Sequence, residues 1–217
     1  MTAVLGYWAI RGLAAPIRYM LEYTKTPYED KLYTQGDDLS RAEWTDVKST
    51  MDLAFPNLPY FMEGELKITQ SNAIIRYIAE KNNLAGNTPA ERAVVDMIAN
   101  ELYELRERFT DMCYSKAFEE IKPRHVYHAP AWLQKFDKFL GTKKWICGES
   151  ITYADFILYE VICQNLAIEP AMFDQCPRLL VLHKQFEELE FMQSYKASSS
   201  YNMPFNNKSA TFGGKLL

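Results

Sequence analysis

The chain has 217 residues, of which 48% are hydrophobic and 24% are charged, and its formal net charge is -4. This balance is typical of a soluble globular protein with one large domain or two small ones. No block of basic residues stands out, so we expect no nucleic-acid partner. No apolar run approaches the roughly 20 residues of a membrane span, and no signal peptide is recognisable, which predicts a cytoplasmic protein.

Cysteine spacing argues against a metal site. None of the four cysteines forms a C-x-x-C pair, and only three histidines accompany them; the cysteines are Cys113, Cys147, Cys163 and Cys176. Structural zinc sites are usually built from closely spaced Cys and His ligands. We therefore expect no metal ion, and four free thiols in a reducing compartment.

The first 82 residues alternate strand and helix signals. Residues 3–8 predict a buried strand, Pro16 suits the first turn of a helix, and residues 28–33 predict a second strand. A strand–helix–strand unit of this length implies a parallel pair with a right-handed crossover. After a polar segment with one short helix, a hairpin that turns at Gly64 and a further helix complete a βαβ-ββα module.

Phe55-Pro56-Asn57-Leu58-Pro59-Tyr60 and the helix start near Gln70 predict a polar pocket. The two prolines exclude helix, so we expect the Leu58 amide and carbonyl to be available to an extended peptide. A cis Pro59 suits the turn, although trans is commoner. With Thr69 or Ser71 as N-cap, the helix directs its amides and positive dipole end outward. Each feature alone fits an ordinary capped helix, but together they suggest a site for a small anionic peptide.

Beyond residue 82, strand signals almost vanish. Residues 83–89 are rich in Asn, Gly, Thr and Pro and predict a linker between a domain over 1–82 and an all-helical domain over 90–217. The predicted helices cover residues 88–114, 118–140, 177–189 and 191–197, with another after Thr152. There Thr152-x-x-Asp155 resembles a capping box ahead of an apolar run. The polar tail from residue 198 is expected to be ordered by packing.

Tyr7 is the first candidate for chemistry, because it ends the first strand beside the turn into a helix. A phenol there can donate a hydrogen bond to a thiolate, which matters because a free thiol has a pKa of about 8.5. The alternative is that Tyr7 is an ordinary core tyrosine.

A second set of candidates could hold a carboxylate, or could be ordinary surface and half-buried residues: Trp8, Trp44 and Lys48. Tyr114 could reach a cleft, or could serve helix packing.

Four segments together resemble the mu class of glutathione transferases: Leu5-Gly6-Tyr7-Trp8-x-Ile10-Arg11-Gly12-Leu13, Phe55-Pro56-Asn57-Leu58-Pro59-Tyr60, Thr69-Gln70-Ser71-Asn72-Ala73-Ile74 and Ile151-Thr152-x-x-Asp155-Phe156. The resemblance covers essentially the whole chain, and the ending at residues 209–214 is similar to helminth members. It implies an α+β protein, with a thioredoxin-like domain followed by an all-helical domain. It also implies a cytoplasmic homodimer that conjugates reduced glutathione, its co-substrate, to hydrophobic electrophiles in detoxification, without any other cofactor.

The resemblance also implies roles for individual residues. Tyr7 would stabilise the thiolate, and Phe55 would be the key that inserts into the partner's helical domain. The glutathione contacts would be Trp8, Arg41, Trp44 and Lys48 at the glycine carboxylate, Asn57 and Leu58 at the cysteinyl backbone before a cis Pro59, and Gln70, Ser71 and a partner-subunit Glu104 at the γ-glutamyl end. The electrophile contacts would be Ile10, Leu13, Arg106, Thr110 and Tyr114.

Three features depart from the family pattern. Glu104 occupies a position where the family usually has aspartate, and the segment between Tyr33 and Trp44 is shorter than in vertebrate members. The tail around Asn206 and Asn207 lacks an aromatic residue that some of those members have, which predicts a more polar electrophile site. A non-catalytic ligand carrier and a glutathione-dependent isomerase on the same fold remain alternatives, but the presence of Tyr7 favours the transferase.

Overall fold

The computed structural model describes residues 2–215, which fall into two compact units. The first contains the residues up to Asn82 together with those from Tyr195 onward, and the second contains residues 83–194. The sequence predicts a helical domain over 90–217 that includes the tail, but in the structure the tail belongs to the first unit. The tail packs with the first unit because its Pro204 and Phe205 carbonyls accept hydrogen bonds from the Arg11 and Gly12 amides, and such long-range contacts leave no periodic signal.

The first unit is a four-stranded sheet with helices. Its strand order is β2-β1-β3-β4, with β1 and β2 parallel and the other pairs antiparallel. This is the predicted βαβ-ββα arrangement. The elements are β1 (Ala3–Trp8), α1 (Ala15–Tyr23), β2 (Tyr28–Tyr33), α2 (Ala42–Lys48), β3 (Tyr60–Glu63), β4 (Leu66–Thr69) and α3 (Ser71–Lys81).

Strand β1 lies at the centre of this unit, and one glycine lets it approach β3 closely. Gly6 pairs with Tyr60 of β3, and a Cβ at Gly6 would lie 2.1 Å from the Tyr60 ring. Any larger residue would therefore displace that ring. Helix α3 buries Ile74, Ile75 and Ile78, as its helical spacing predicts.

The start of α3 differs from the prediction of Thr69 or Ser71 as N-cap. Gln70 is the N-cap residue, with a φ of 74° and no hydrogen bond from its side chain to the helix amides. Ser71 is the first helical residue. The sequence prediction was wrong because it assumed that a side chain caps the helix, whereas the chain enters α3 through a sharp left-handed turn at Gln70.

The second unit is helical. It contains α4 (Pro89–Tyr114), α5 (Phe118–Leu140), α6 (Tyr153–Ile168), α7 (Pro177–Glu187) and most of α8 (Glu190–Tyr195). The start of α4 is fixed by a capping box between Thr88 and Glu91. Helix α6 is buried nearly all round, which explains its almost continuous apolar sequence. Within residues 2–215, none of the helices has the length and apolar character that crossing a membrane requires.

The predicted capping box at Thr152 and Asp155 is present at the start of α6. The fully buried Asp155 carboxylate accepts hydrogen bonds from the Ile146 amide at 2.7 Å and the Thr152 amide at 2.8 Å. Burial raises the pKa of Asp155 to about 6, although these hydrogen bonds oppose the shift. The side chain therefore ties the preceding loop to the helix.

We predict that Asp155→Ala destabilises the protein without changing its chemistry. The buried amides of Ile146 and Thr152 would lose their acceptor, at a cost of about 1–3 kcal/mol in the free energy of unfolding. Thermal unfolding measures this loss, and kinetics of the folded fraction should give a kcat and KM close to those of the parent. Glu149→Ala, at an exposed carboxylate in the same loop, is the control. A fully stable but inactive Asp155→Ala would place Asp155 in the site instead.

Candidate functional site

Tyr7 is the last residue but one of β1, and its side chain is almost fully buried. Its Oη accepts a hydrogen bond from the Leu13 amide at 3.1 Å. The loop between β1 and α1 therefore curls back over the phenol. A hydroxyl whose oxygen already accepts a hydrogen bond becomes a stronger donor through its own hydrogen, because the two bonds polarise each other. This arrangement suits a group that donates to an anion.

Gly12 makes this close approach possible. Its φ is +40°, in the region that favours glycine, and a Cβ there would lie 2.7 Å from Tyr7 Oη. Any side chain at this position would therefore collide with the hydroxyl that the loop surrounds. The glycine serves both the turn of the backbone and the position of Tyr7.

Arg18 anchors the inner side of the same loop, a role that the sequence analysis missed. Its fully buried guanidinium donates to the Ile10 carbonyl at 2.7 Å. It also pairs with both carboxylate oxygens of Asp30 on β2, at 2.8 and 3.2 Å. The available signal was a charged residue among the apolar positions of α1, since a buried arginine needs a partner.

Three of the four residues predicted to bind the glycine carboxylate lie on α2 or at its start: Arg41, Trp44 and Lys48. Trp44 is buried, with its ring 5.3 Å from that of Tyr33 and stacked on that of Tyr60 at 6.2 Å. Lys48 follows Trp44 by four residues on the same helix and is exposed. Arg41 is the exposed N-cap residue of α2, and Trp8 is half-buried at the end of β1. Aromatic packing therefore fixes the indole, while the two cations extend into solvent.

The proline-flanked loop matches its prediction in one respect and differs in another. The Leu58–Pro59 peptide bond is cis. The Leu58 amide, however, donates to Asn57 Oδ1 at 2.9 Å, so the prediction of an available amide is wrong. A short amide side chain readily bonds neighbouring backbone groups in a turn. A bound peptide would have to take the place of Asn57 Oδ1 at this amide.

Gln70 and Ser71 lie at the beginning of α3, as predicted, where a helix presents its positive dipole end. Gln70 is exposed, and Ser71 is nearly buried with its Oγ 3.4 Å from Asn72 Oδ1. Gln70, at the positive-φ turn, is the N-cap residue, and Ser71 is the first residue of the helix. The position suits recognition of a carboxylate.

The candidate residues of the second unit lie on α4. Arg106, Thr110 and Tyr114 follow one another at four-residue intervals and so share one face of the helix. Arg106 is buried, and its Nε has no hydrogen-bond partner among residues 2–215. Glu104 is exposed on a different face, beside a cavity between α4 and α5. Ile10, which is buried, and Leu13, which is half-buried, belong to the first unit.

Comparison with known proteins identifies the family. Residues 3–80 match the N-terminal domain of glutathione S-transferases, and residues 103–199 match their C-terminal domain. Glutathione S-transferase Mu 3 of Macaca fuscata fuscata is 46% identical over 215 residues, which cover 98% of this chain and 96% of that protein. Glutathione S-transferase Mu 5 of Rattus norvegicus is 46% identical over 217 residues, 99% of this chain and 96% of that protein. The chain belongs to the mu class of the glutathione S-transferase family.

A solved structure agrees with this assignment. The crystal structure of the glutathione S-transferase Blo t 8 superposes with a TM-score of 0.90 at 28% identity, over 97% of this chain and 99% of that chain. The predicted thioredoxin-like domain and helical domain are therefore those of the transferase family.

We predict that Gly12→Ala impairs turnover more than it impairs folding. Its Cβ would meet Tyr7 Oη, and a displacement of about 1 Å in a catalytic group can cost up to about 100-fold in rate. Gly64→Ala is a matched control, because Gly64 also has a positive φ of 59° but a Cβ there would meet nothing within 4 Å. Both variants should lose about 1–2 kcal/mol of stability. Equal kcat values for the two variants would contradict the role assigned to Gly12.

Proposed function

We propose that this protein conjugates reduced glutathione to hydrophobic electrophiles through a thiolate that the Tyr7 hydroxyl stabilises. The observation that carries the proposal is the buried Tyr7 hydroxyl, oriented by the Leu13 amide at the end of β1. Full-length similarity to mu-class transferases supports the same chemistry. A carrier protein would have no use for a hydroxyl held in this way, which favours the enzyme over the non-catalytic alternative.

The proposed reaction is a nucleophilic attack by the glutathione sulfur on an electrophilic carbon. The thiol loses its proton to solvent, and a hydrogen bond from Tyr7 Oη stabilises the resulting thiolate. The sulfur then forms a bond to carbon, and a leaving group departs with its electron pair when the reaction is a substitution. The binding sites contribute by holding the two reactants in an orientation that favours attack.

Three parts of the first unit would hold glutathione. Arg41 and Lys48 would supply positive charge to the glycine carboxylate, and Trp44 on α2 and Trp8 at the end of β1 would be its indole donors. Asn57 and Leu58 would bond the cysteinyl backbone, with the ligand's carbonyl replacing Asn57 Oδ1 at the Leu58 amide. Gln70, Ser71 and the start of α3 would bind the carboxylate of the γ-glutamyl group.

The proposed electrophile contacts are Ile10 and Leu13 near Tyr7, and the face of α4 that carries Arg106, Thr110 and Tyr114. The buried Arg106 Nε has no partner among the described residues. A buried donor without a partner costs free energy, so an electrophile with an oxygen acceptor would gain by accepting a hydrogen bond from Arg106 Nε.

Conjugation of this kind would serve detoxification. The four free cysteines fit a cytoplasmic location.

We predict that Tyr7→Phe lowers kcat at neutral pH by about 10²–10³-fold, because one preorganised donor to the anion is lost. Glutathione affinity, measured by isothermal titration, should change far less. Tyr77→Phe is the control, since its hydroxyl donates to Glu63 in the same unit and touches no proposed ligand contact. Unchanged turnover in Tyr7→Phe would contradict the proposal.

We further propose a homodimer in which Phe55 of one subunit enters the helical unit of the other. Phe55 is 79% exposed in a loop, which is unusual for a large apolar side chain. A cavity of about 290 Å³ between α4 and α5 offers an apolar receptor, lined in part by Met97, Ile98, Trp132, Phe136 and Phe139. Glu104 borders this cavity.

The loop connects this interface to the glutathione site. Phe55 is only two residues from Asn57, so docking of the partner's Phe55 beside Glu104 would bring this carboxylate near the partner's glutathione. There it would pair with the γ-glutamyl ammonium. An exposed pair of this kind contributes only about 0.2–1 kcal/mol to binding. Glu104 is thus proposed as an accessory contact.

We predict that Phe55→Ala weakens dimerisation by at least about 2 kcal/mol, as is typical of a buried interface anchor. This corresponds to a dimer dissociation constant about 30-fold higher. Sedimentation over a range of concentrations measures it. Val181→Ala, at an exposed apolar residue on α7, should leave the constant unchanged. If Phe55→Ala dimerises as tightly as the parent, the anchor is another residue.

A further inference from the structure

The C-terminal tail is bonded to the loop that surrounds Tyr7. The Arg11 amide donates to the Pro204 carbonyl at 2.8 Å, and the Gly12 amide donates to the Phe205 carbonyl at 3.1 Å. The next amide in the chain is that of Leu13, which bonds Tyr7 Oη. Three consecutive amides therefore connect the tail to the phenol.

Side chains reinforce this backbone connection. The Arg11 guanidinium lies over the Phe205 ring at 4.4 Å and over the Tyr201 ring at 5.7 Å. It also donates to the Tyr19 hydroxyl of α1 at 3.0 Å. Phe205 is buried, with only 7% of its surface exposed. A cation held between aromatic rings and a hydroxyl fixes the position of Arg11, and with it the outer side of the loop.

The tail has an internal structure that keeps Phe205 in place. The Asn206 amide donates to the Gly213 carbonyl at 2.8 Å, and Asn206 Nδ2 donates to the Phe212 carbonyl at 3.0 Å. Further along, the Ser209 amide donates to Gln35 Oε1 at 3.0 Å, and Lys208 pairs with Asp37 at 2.6 Å. The tail thus contacts both the Tyr7 loop and the loop that leads into α2.

We propose that the contact between Arg11 and Phe205 positions the Tyr7 loop for catalysis, so that Phe205 and Arg11 are positioning residues of the thiolate site. This inference rests on the proposed function of Tyr7. The inner side of the loop is already anchored by Arg18, Asp30 and the Ile10 carbonyl. Loss of the tail contact would therefore leave the fold of the first unit in place while releasing Gly12 and the Leu13 amide.

The test compares Phe205→Ala and Arg11→Ala with the parent in the complex with glutathione. We expect the ultraviolet absorbance of the thiolate to titrate at a higher pH in both variants, and kcat at neutral pH to fall about 10-fold, with KM for glutathione changing less. Phe205→Tyr, which keeps the ring, should restore the parent values. Asn202→Ala is the control, because this exposed tail residue bonds only to the tail carbonyl of Ser198 in the described contacts.

Other outcomes overturn the inference. If the folded variants keep the thiol titration of the parent, or if only KM changes, the tail has a structural or binding role alone. If Phe205→Ala does not fold, Arg11→Ala decides the result, because Arg11 is not a core residue. Tyr7→Phe in the same titration separates the two proposals. A shift in Tyr7→Phe without a shift in the tail variants rejects the tail inference only, whereas no shift in Tyr7→Phe rejects the proposed function.

Discussion

The hydrogen bond from the Leu13 amide to the Tyr7 hydroxyl is the contact on which the proposed chemistry depends. A phenol at the end of a strand has no catalytic value unless its oxygen is fixed in position and its hydrogen is directed at the sulfur. Gly12 permits the loop to approach, and the ion pair between the buried Arg18 and the half-buried Asp30 holds the inner side of the loop. Several contacts thus hold the Leu13 amide in position. None of them touches glutathione in the proposed arrangement.

In the proposed arrangement, α2, the loop at Asn57 and Leu58, and the start of α3 would each bind a different part of glutathione. The aromatic cluster of Tyr33, Trp44 and Tyr60 joins α2 to the sheet, with the Tyr33 and Tyr60 hydroxyls 3.1 Å apart. The Asn57 side chain occupies the Leu58 amide that a peptide would use. Binding therefore exchanges one hydrogen bond for another at this amide, so its net contribution to affinity is expected to be modest.

Much of the fold could be predicted from the sequence because local signals determine it. Strand β1 follows from its apolar run and the start of helix α4 from Pro89, and the Asp155 cap follows from its spacing to Thr152. The N-cap at Gln70 was missed because a left-handed turn replaces side-chain capping. The Asn57 bond to Leu58, the buried Arg18 and the tail contacts were missed because they depend on three-dimensional neighbours. Spacing alone does not reveal such neighbours.

If the Tyr7 site stabilises a thiolate, the thiol of glutathione bound to the unmodified protein must have a lowered pKa. Ultraviolet titration of the complex against free glutathione gives this value. We expect the bound thiol to ionise at a clearly lower pH than the free thiol, whose pKa is about 8.5, so that thiolate predominates near neutrality. A bound thiol whose pKa equals or exceeds that of free glutathione would contradict thiolate stabilisation at Tyr7.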